Sequence, residues 1–489
     1  MRSEKLLDAI GMIGDDLITE AKKKRISPRK ILFTGVAACL LIVLMLPMML
    51  GNNSWAPPPS DLPTPPSIPQ GANSQAQISP SHLGLQNLVA SPTFPSVVSY
   101  SKEQYQLWEE FQAKWEETYG LPDGYLRNLE GFFAKSAREC LSGEGNQLYS
   151  PISIYLSLAM LAECSDGQSR QEILTLLGVD DLQQLRSQAQ RIWMASYRAD
   201  GKTNCVLSNS IWLDKSVIYN NDTVKTLVEQ HYTCVMHGDL QSDQMSSQLR
   251  TWLNAMTGNV LSDSVKNLQI DSATAIALVS AIHFKAQWTV PFKTENTYPG
   301  IFHSSNGDKQ VAYLFLSAAT GESDYYWSNQ FRAVCRPLTG GQSMWFILPE
   351  EGSTPQKILQ NRQWLEMVMH RETWNNRKKI HLELSVPKFD ISNKTDIIDS
   401  LKNMGVREIF DPQEANFNPL CFNKNIQVGE YHSATRVYID EFGVSGAAFA
   451  SPFIYFSSAE ASMILDRPFI FVIASSDGVP LFVGIVEQP

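Results

Sequence analysis

The sequence lacks the short motifs that mark many enzyme active sites. Among its 489 residues there is no G-x-S-x-G nucleophile elbow, no phosphate-binding P-loop and no dinucleotide-binding fingerprint. The 7 cysteines form no C-x-x-C pair and the 8 histidines no H-E-x-x-H motif, so no zinc site is predicted. These absences argue against an enzyme, although a catalytic triad without a local signature stays open.

Positive charge is also scarce. The chain carries 40 Lys and Arg against 50 Asp and Glu, a net charge of −10. A general nucleic-acid-binding protein needs a basic face, so nucleic acid is excluded as the expected partner. With 43% apolar and 18% charged residues, the composition is typical of a globular protein that buries a real core.

Residues 31–51 contain no charged side chain. As a helix they would span about 31 Å, enough to cross the hydrocarbon core of a bilayer. Six basic residues lie between Lys22 and Lys30, and no further Lys or Arg follows the segment until Lys102. The positive-inside rule then predicts a cytoplasmic tail over 1–30, a transmembrane helix over 31–51 and an extracellular remainder. A cleaved signal peptide is the alternative, but the most apolar part follows Cys39 rather than preceding it.

Residues 52–120 are predicted to be an extracellular linker. Ten of the 26 prolines lie between Pro57 and Pro95, which favours extended polyproline-type chain. A short helix is expected within 101–118, either packed on the next domain or part of the stalk. An anchor followed by a proline-rich stalk is typical of a Gram-positive-type bacterial cell surface.

One domain is predicted over residues 121–489, since this part shows no second low-complexity break and no internal repeat. Helical patterns dominate 126–195, and strand-like runs such as "HLELSVPKFDI" and "RPFIFVIAS" come later. This order predicts an α+β fold with a large, mainly antiparallel central sheet. Within it, Ser150 followed by Pro151 is a predicted helix N-cap.

The segments of this domain, read together, resemble the serpin family. The segments that show this resemblance are, in order, "LYSPISIYLSLAMLAECSDGQSRQEILTLLG", "TWLNAMTGNV", "LVSAIHFKAQWTVPFKTENTYPGIF", "SMWFILPEE", "VPKFDIS", "LKNMGVREIF", "DRPFIF" and "LFVGIVEQP". The similarity extends from near Leu126 to the end of the chain. It implies a serpin-like fold, in which helices surround the central sheet and an exposed reactive-centre loop projects from it. It also implies an inhibitor that needs no cofactor and no metal.

The resemblance assigns a role to the stretch "DEFGVSGAAFASPFIYFSSAEASMILDRPF", residues 440–469. It corresponds to the reactive-centre loop, which a serine protease cuts and whose freed end inserts into the main sheet with the acyl-enzyme still attached. The expected hinge residues are Glu441, Gly443, Val444, Gly446, Ala448 and Ala450. Gly443 is expected to supply a turn through its backbone freedom, and the small residues after it would face the sheet interior.

The family's usual spacing from Glu441 places the cleaved bond between Ser457 and Ser458, with Phe456–Ser457 as the alternative. No Lys or Arg lies between Asp440 and Asp466, so a trypsin-like target is disfavoured. A serine before the bond suits elastase- or subtilisin-like enzymes, and Phe456 suits a chymotrypsin-like pocket. The partner is therefore expected to be a serine protease, held as a covalent acyl complex.

The resemblance also implies a polar cluster and a packing point where the sheet opens. The expected residues of this shutter and breach are Ser150, Pro151, Ser153, Ser280, Trp288 and Ser433. Several positions depart from the family pattern: Phe442, Phe449, Pro452, Ser280 and Ser433. Pro452 would remove one ladder bond from an inserted strand. These departures leave open a non-inhibitory serpin that acts as an adhesion module or a protease-cleavage sensor.

Overall fold

Helices dominate the chain up to about residue 200 and strands dominate after it, in the predicted order. The computed structural model describes residues 73–75, 80–95, 97–99, 105–122, 124–200, 203–271, 274–422, 425–444 and 459–489. All of these belong to one compact unit, residues 61–489.

The described helices and strands have the following bounds. The helices are α1 (Tyr105–Tyr119), α2 (Glu130–Cys140), α3 (Pro151–Cys164), α4 (Gly167–Leu177), α5 (Leu182–Ser196), α6 (Asn221–His231), α7 (Asp243–Met256), α8 (Ser262–Val265), α9 (Pro355–Gln360), α10 (Gln363–Met369) and α11 (Ile398–Asn403). The strands are β1 (Asn73–Gln75), β2 (Leu88–Ala90), β3 (Val97–Ser99), β4 (Gln147–Tyr149), β5 (Arg198–Ala199), β6 (Asn204–Asp214), β7 (Thr233–Gly238), β8 (Ile276–Gln287), β9 (Tyr298–Ser304), β10 (Gly307–Leu316), β11 (Glu322–Trp327), β12 (Phe331–Pro337), β13 (Ser343–Pro349), β14 (Arg377–Pro387), β15 (Asp390–Asp396), β16 (Val428–Tyr438), β17 (Gly443–Val444), β18 (Ala461–Ile464), β19 (Phe469–Ala474) and β20 (Pro480–Val486).

Two large sheets organise the described part of the chain. An 8-stranded sheet has the order β15-β16-β8-β6-β7-β2, with β17 paired to β8 and β5 to β6. A 10-stranded sheet has the order β4-β20-β19-β13-β12-β11-β14-β10-β9, with β18 paired to β14. Most pairs are antiparallel, and the parallel exceptions are β6–β7, β8–β16 and β14–β18. The predicted α+β fold with a mainly antiparallel sheet is confirmed.

Helix α3 lies at the centre of the molecule, in contact with β6 and β8 of one sheet and β20 of the other. All of its residues are buried, as expected for a helix that is apolar on every face. The predicted N-cap is present, because the Ser150 side chain accepts a hydrogen bond from the Ser153 amide and Pro151 is the first helical residue. This cap fixes the position of α3 beneath the 8-stranded sheet.

Part of the segment predicted to be a linker adds to the edge of that sheet. Strand β2 pairs antiparallel with β7. Beyond it, the ring of Phe94 stacks on that of Trp193 with centroids 5.8 Å apart. The Tyr197 hydroxyl donates a hydrogen bond to the carbonyl of Pro95 at 2.6 Å. Residues 80–95 therefore pack against the body of the domain, which polyproline composition alone did not reveal.

The short helix expected within 101–118 is α1, and it packs on the domain rather than standing in a stalk. Phe111, Trp115 and Tyr119 are buried, four residues apart on one face of the helix. The Trp115 indole donates to the carbonyl of Met194 at 3.3 Å. The boundary at residue 121 stays a prediction, but tightly packed chain begins before it.

A half-buried carboxyl next to α1 gives the fold an unusual pH response. The Asp477 side chain accepts a hydrogen bond from the Leu121 amide at 3.1 Å. Burial, together with the nearby charge of Glu116, raises the pKa of Asp477 to about 6. Because its folded pKa exceeds its unfolded value, the stability that this carboxyl contributes is present at low pH. It is lost as the pH rises through about 6.

Asp477→Asn is therefore expected to stabilise the protein at about pH 8, by roughly 2 kcal/mol, and to have little effect at about pH 4. Asn keeps an oxygen that can accept from the Leu121 amide but carries no charge. Urea unfolding midpoints at the two pH values measure the effect, and Asp180→Asn, at an exposed carboxyl, is the matched control. A gain that is equal at both pH values would contradict the assignment.

No helix within the described ranges is long and apolar enough to cross a bilayer. The predicted transmembrane segment 31–51 and the tail 1–30 lie outside those ranges. Of the cysteines that the structure describes, Cys140 is half-buried and the others are buried, all as free thiols. Burial raises the pKa of the Cys205 and Cys234 thiols to about 12, so these two are unreactive.

Candidate functional site

The reactive-centre loop expected from the sequence is flanked by two short strands. On one side β17 ends at Val444, and on the other β18 begins at Ala461 and pairs with β14. The predicted bonds Ser457–Ser458 and Phe456–Ser457 lie outside the described residues, as do Gly446, Ala448 and Ala450. Their roles stay predictions, whereas the residues at both ends of the loop have defined positions.

A tight turn precedes the loop. The Asp440 side chain accepts hydrogen bonds from the amides of Phe442 at 2.8 Å and of Gly443 at 3.0 Å. The Asp440 amide in turn donates to the carbonyl of Gly443 at 3.1 Å. Ile439 and Val444 form an antiparallel bridge across this turn. The chain therefore reverses direction after β16 and returns along the upper part of β8.

Gly443 is required for a different reason from the one expected. It is not among the glycines with positive φ, so its backbone does not need glycine's freedom. It lies against β8 instead, where an added Cβ would meet the carbonyl oxygen of Ala286 and come within 2.8 Å of the Gln287 Cα. The expectation of a flexible turn at Gly443 was wrong, and close approach of two backbones is the physical cause.

Glu441 holds the turn to two neighbouring segments. Its carboxylate accepts a hydrogen bond from Thr297 Oγ1 at 2.8 Å and pairs with Lys388 Nζ at 2.6 Å. Burial alone would raise the pKa of Glu441, but the hydrogen bonds from Lys388 and Thr297 outweigh it and lower the pKa. The carboxylate is therefore ionised at neutral pH and ties the start of the loop to the top of the sheet.

Trp288 packs beneath the same turn. Its indole donates to the carbonyl of Asp440 at 2.9 Å, and its amide donates to that of Phe442 at 3.0 Å. The ring is 2% exposed and meets Phe292 edge to face with centroids 5.7 Å apart. Any movement of residues 440–442 away from β8 must therefore break both of these hydrogen bonds.

The strands β8 and β16 are paired along only part of their length. Their parallel ladder runs from Ile276 and Val428 to Ala281 and Ala434. Strand β8 continues to Gln287, where its last two residues pair with β17 instead. Over residues 282–285 of β8, the two strands are not paired with each other. The 8-stranded sheet thus has an opening in its middle. Gly443 and Val444 occupy the top of that opening, which is the end nearest the last residues of β8.

A row of polar residues crosses the sheet just below the opening. Ser433 of β16 and Asn209 of β6 both pair with Ser280 of β8, one on each side. The Ser157 hydroxyl of α3 donates to the Asn209 side chain at 3.1 Å. The structure therefore brings together the predicted Ser280 and Ser433.

The other predicted serines of this region are Ser150, the N-cap of α3, and Ser153 in its first turn. Ser150 Oγ donates to Ser153 Oγ at 2.9 Å, in the first turn of the helix that packs under β8. Ser157 and Asn209 were missed by sequence reasoning. The available signal was the polar group Ser208, Asn209 and Ser210 in the run "VLSNSIWL", which has apolar residues on both sides of it.

Comparison with known proteins assigns the chain to a family. The family profile described as Serpin (serine protease inhibitor) matches residues 130–489, most of the chain, so the protein belongs to the serpin family. Serpins are in general protease inhibitors rather than enzymes, although some are non-inhibitory. The resemblance stated from the sequence is thus confirmed at the level of the family.

Individual relatives agree with this assignment. Serpin-ZX of Arabidopsis thaliana is 26% identical over 394 residues, which cover 76% of this chain and 98% of that protein. Neuroserpin of Homo sapiens is 26% identical over 361 residues, which cover 70% of this chain and 86% of that protein. Among solved structures, native Tengpin, a thermophilic serpin, matches with a TM-score of 0.68 at 21% identity, covering 76% of this chain and 95% of that one. At such low identity the structural match shows the fold alone.

Proposed function

We propose that the protein is a membrane-anchored extracellular inhibitor of serine proteases that works by inserting its cleaved loop into the 8-stranded sheet. The observation that carries this proposal is the opening between β8 and β16, with Gly443 and Val444 already paired to its rim. A loop cut near Ser457 could extend this pairing downward, with the protease attached to its end.

Energetics favour such an insertion. A new strand of about a dozen residues would add about ten ladder hydrogen bonds, worth on the order of 10 kcal/mol at about 1 kcal/mol net each. That energy is large beside the usual stability of a domain. It is enough to drag and deform an acyl-enzyme before the ester is hydrolysed.

The loop sequence points to the class of target. Ile454, Tyr455 and Phe456 make the approach to the cleaved bond strongly apolar, and no basic residue lies nearby. We therefore expect the target to be an elastase-, subtilisin- or chymotrypsin-like enzyme. Such an enzyme would cut the loop after Ser457 or after Phe456. The alternative, a non-inhibitory serpin, is favoured by Pro452, which cannot donate a ladder bond in an inserted strand.

The location is proposed from the sequence alone. The uncharged segment 31–51 and the basic residues before it support a single-pass protein of the cell membrane, with residues 1–30 in the cytoplasm. The inhibitory domain would then act outside the cell, on a bacterial-type surface. Fractionation of cells that express the full chain, with protease shaving of intact cells, tests both points.

The inhibitory activity is tested by mixing the predicted ectodomain, residues 52–489, with elastase, chymotrypsin and subtilisin and separating the products on denaturing gels. A covalent band at the summed mass is expected with at least one enzyme, and it should be absent when the enzyme's serine is chemically blocked. Loop cleavage without such a band would favour the non-inhibitory alternative. Mass spectrometry of the released fragment then locates the cleaved bond.

A further inference from the structure

A cluster of hydrogen bonds joins β16 to Asp271 and Thr274, which precede β8, at the end of the sheet opposite the hinge. Glu430 Oε1 accepts from the Thr274 hydroxyl at 3.0 Å and also from the Asp271 amide. Glu430 Oε2 is bonded to His432 Nε2. Burial alone would raise the pKa of Glu430, but these three hydrogen bonds outweigh it and lower the pKa. Glu430 is thus a carboxylate whose partners lie on both sides of the β8–β16 junction.

The two segments approach each other closely at this point. The ladder between β8 and β16 has an irregularity between Val428 and Glu430, which leaves Gly429 unpaired. A Cβ on Gly429 would lie 2.9 Å from the Thr274 hydroxyl oxygen and 3.2 Å from its Cα. The base of the sheet is therefore closed by direct contact, in contrast to the opening near its top.

The register of β17 shows where an inserted loop would end. Gly443 pairs with Gln287 and Val444 with Ala286, in antiparallel order. If the same register continued, Ile454, ten residues further on, would lie opposite Ile276, the first residue of β8. Tyr455, Phe456 and Ser457 then remain before the predicted cleaved bond. Those residues would have to pass Asp271 and Thr274, which Glu430 holds against β16.

We propose that Glu430 is a latch for the last step of loop insertion, a positioning residue that acts through Thr274 and Asp271. Insertion as far as Pro452, which would lie opposite Leu278 in this register, requires only that the part of the β8–β16 ladder above the Glu430–Ala277 pair separate. The final residues, and the protease bound to them, can advance only after the Glu430 hydrogen bonds break. The latch therefore sets how quickly a cut loop completes its insertion. That rate decides whether the protease is trapped or escapes. This inference rests on the proposed inhibitory function.

The test uses the ectodomain and three variants of the cluster. Thr274→Val is nearly isosteric and removes one hydrogen bond while leaving Glu430 and His432 in place. Glu430→Gln keeps the shape of the side chain, and Glu430→Ala removes the latch. The matched control is Glu163→Gln, because Glu163 is also a buried carboxylate, bound by Arg186 and His231 on helices remote from β16.

Two measurements are made on each protein. The first is the rate at which loop-nicked ectodomain acquires resistance to heat, which needs no inhibitory activity. We expect Glu430→Ala to raise this rate about tenfold, equivalent to about 1.4 kcal/mol, and Thr274→Val to raise it less. The second is the fraction of protease captured in the covalent complex, which should rise in the same order. Glu163→Gln should change neither by more than about twofold.

The outcomes separate the latch from the proposed function. In one outcome, the wild-type protein gains heat resistance after nicking and all three variants gain it at the same rate as the wild type. That result rejects the latch but leaves loop insertion standing. A slower rate in the variants, or an equal change in Glu163→Gln, also rejects it. If nicked wild-type protein never gains heat resistance, the insertion mechanism and the latch fall together.

Discussion

Val444→Asp is expected to turn the protein from an inhibitor into a substrate of its target protease. Val444 is 1% exposed, and its backbone pairs with Ala286 of β8 and bridges Ile439, the residue after β16. Asp is somewhat smaller than Val, so the change introduces charge rather than bulk. A buried carboxylate without a counter-ion, next to Asp440 and Glu441, costs several kcal/mol and would displace the hinge from its place beside β8.

Slower insertion gives the protease time to hydrolyse the acyl bond and leave. The fraction of protease captured should therefore fall by about tenfold or more, while cleavage of the loop continues at its normal rate. Titration of protease activity against inhibitor measures this as a rise in the number of inhibitor molecules consumed per enzyme. Val444→Thr, similar in shape and uncharged, should behave like the wild type. Equal capture by Val444→Asp would show that the pairing of residue 444 with β8 is not needed for insertion.

Cleavage of the loop is expected to raise the melting temperature of the ectodomain by on the order of 15 °C. In the uncut protein, β8 and β16 are unpaired with each other near residues 282–285, so ladder groups there lack the partner that a new strand would supply. Insertion satisfies these groups and buries the small side chains after Gly443. The melting temperature of Val444→Asp should rise much less on nicking, because its hinge is not held beside β8.

Much of the fold was readable from the sequence because its signals are local. The serine and proline at the start of α3 indicated a capped helix, and the structure shows that cap. The apolar strand around Trp288 indicated packing rather than chemistry, and its ring is buried. Ordered family-like segments over the last 360 residues predicted the α+β fold with a large, mainly antiparallel sheet, and the family profile covers the same region.

The features that sequence reasoning missed depend on contacts between distant residues. Gly443 needs to be glycine only because β8 lies against it, and no local pattern shows that approach. Asn209 and Glu430 look like ordinary polar residues until the register places them beside Ser280 and Thr274. Prolines between residues 57 and 95 indicated a linker, whereas residues 80–95 add to the sheet edge by burying a few apolar side chains. The anchor at 31–51 stays a prediction.

The central claim is that the uncut protein holds a strand outside a sheet that is more stable with the strand inside. Its most direct test is a pair of calorimetric scans, one of the intact ectodomain and one of ectodomain nicked near Ser457 with the fragments left together. The account predicts that the nicked sample unfolds at the higher temperature, although its backbone is broken. A nicked sample that melts at or below the temperature of the intact protein would contradict it.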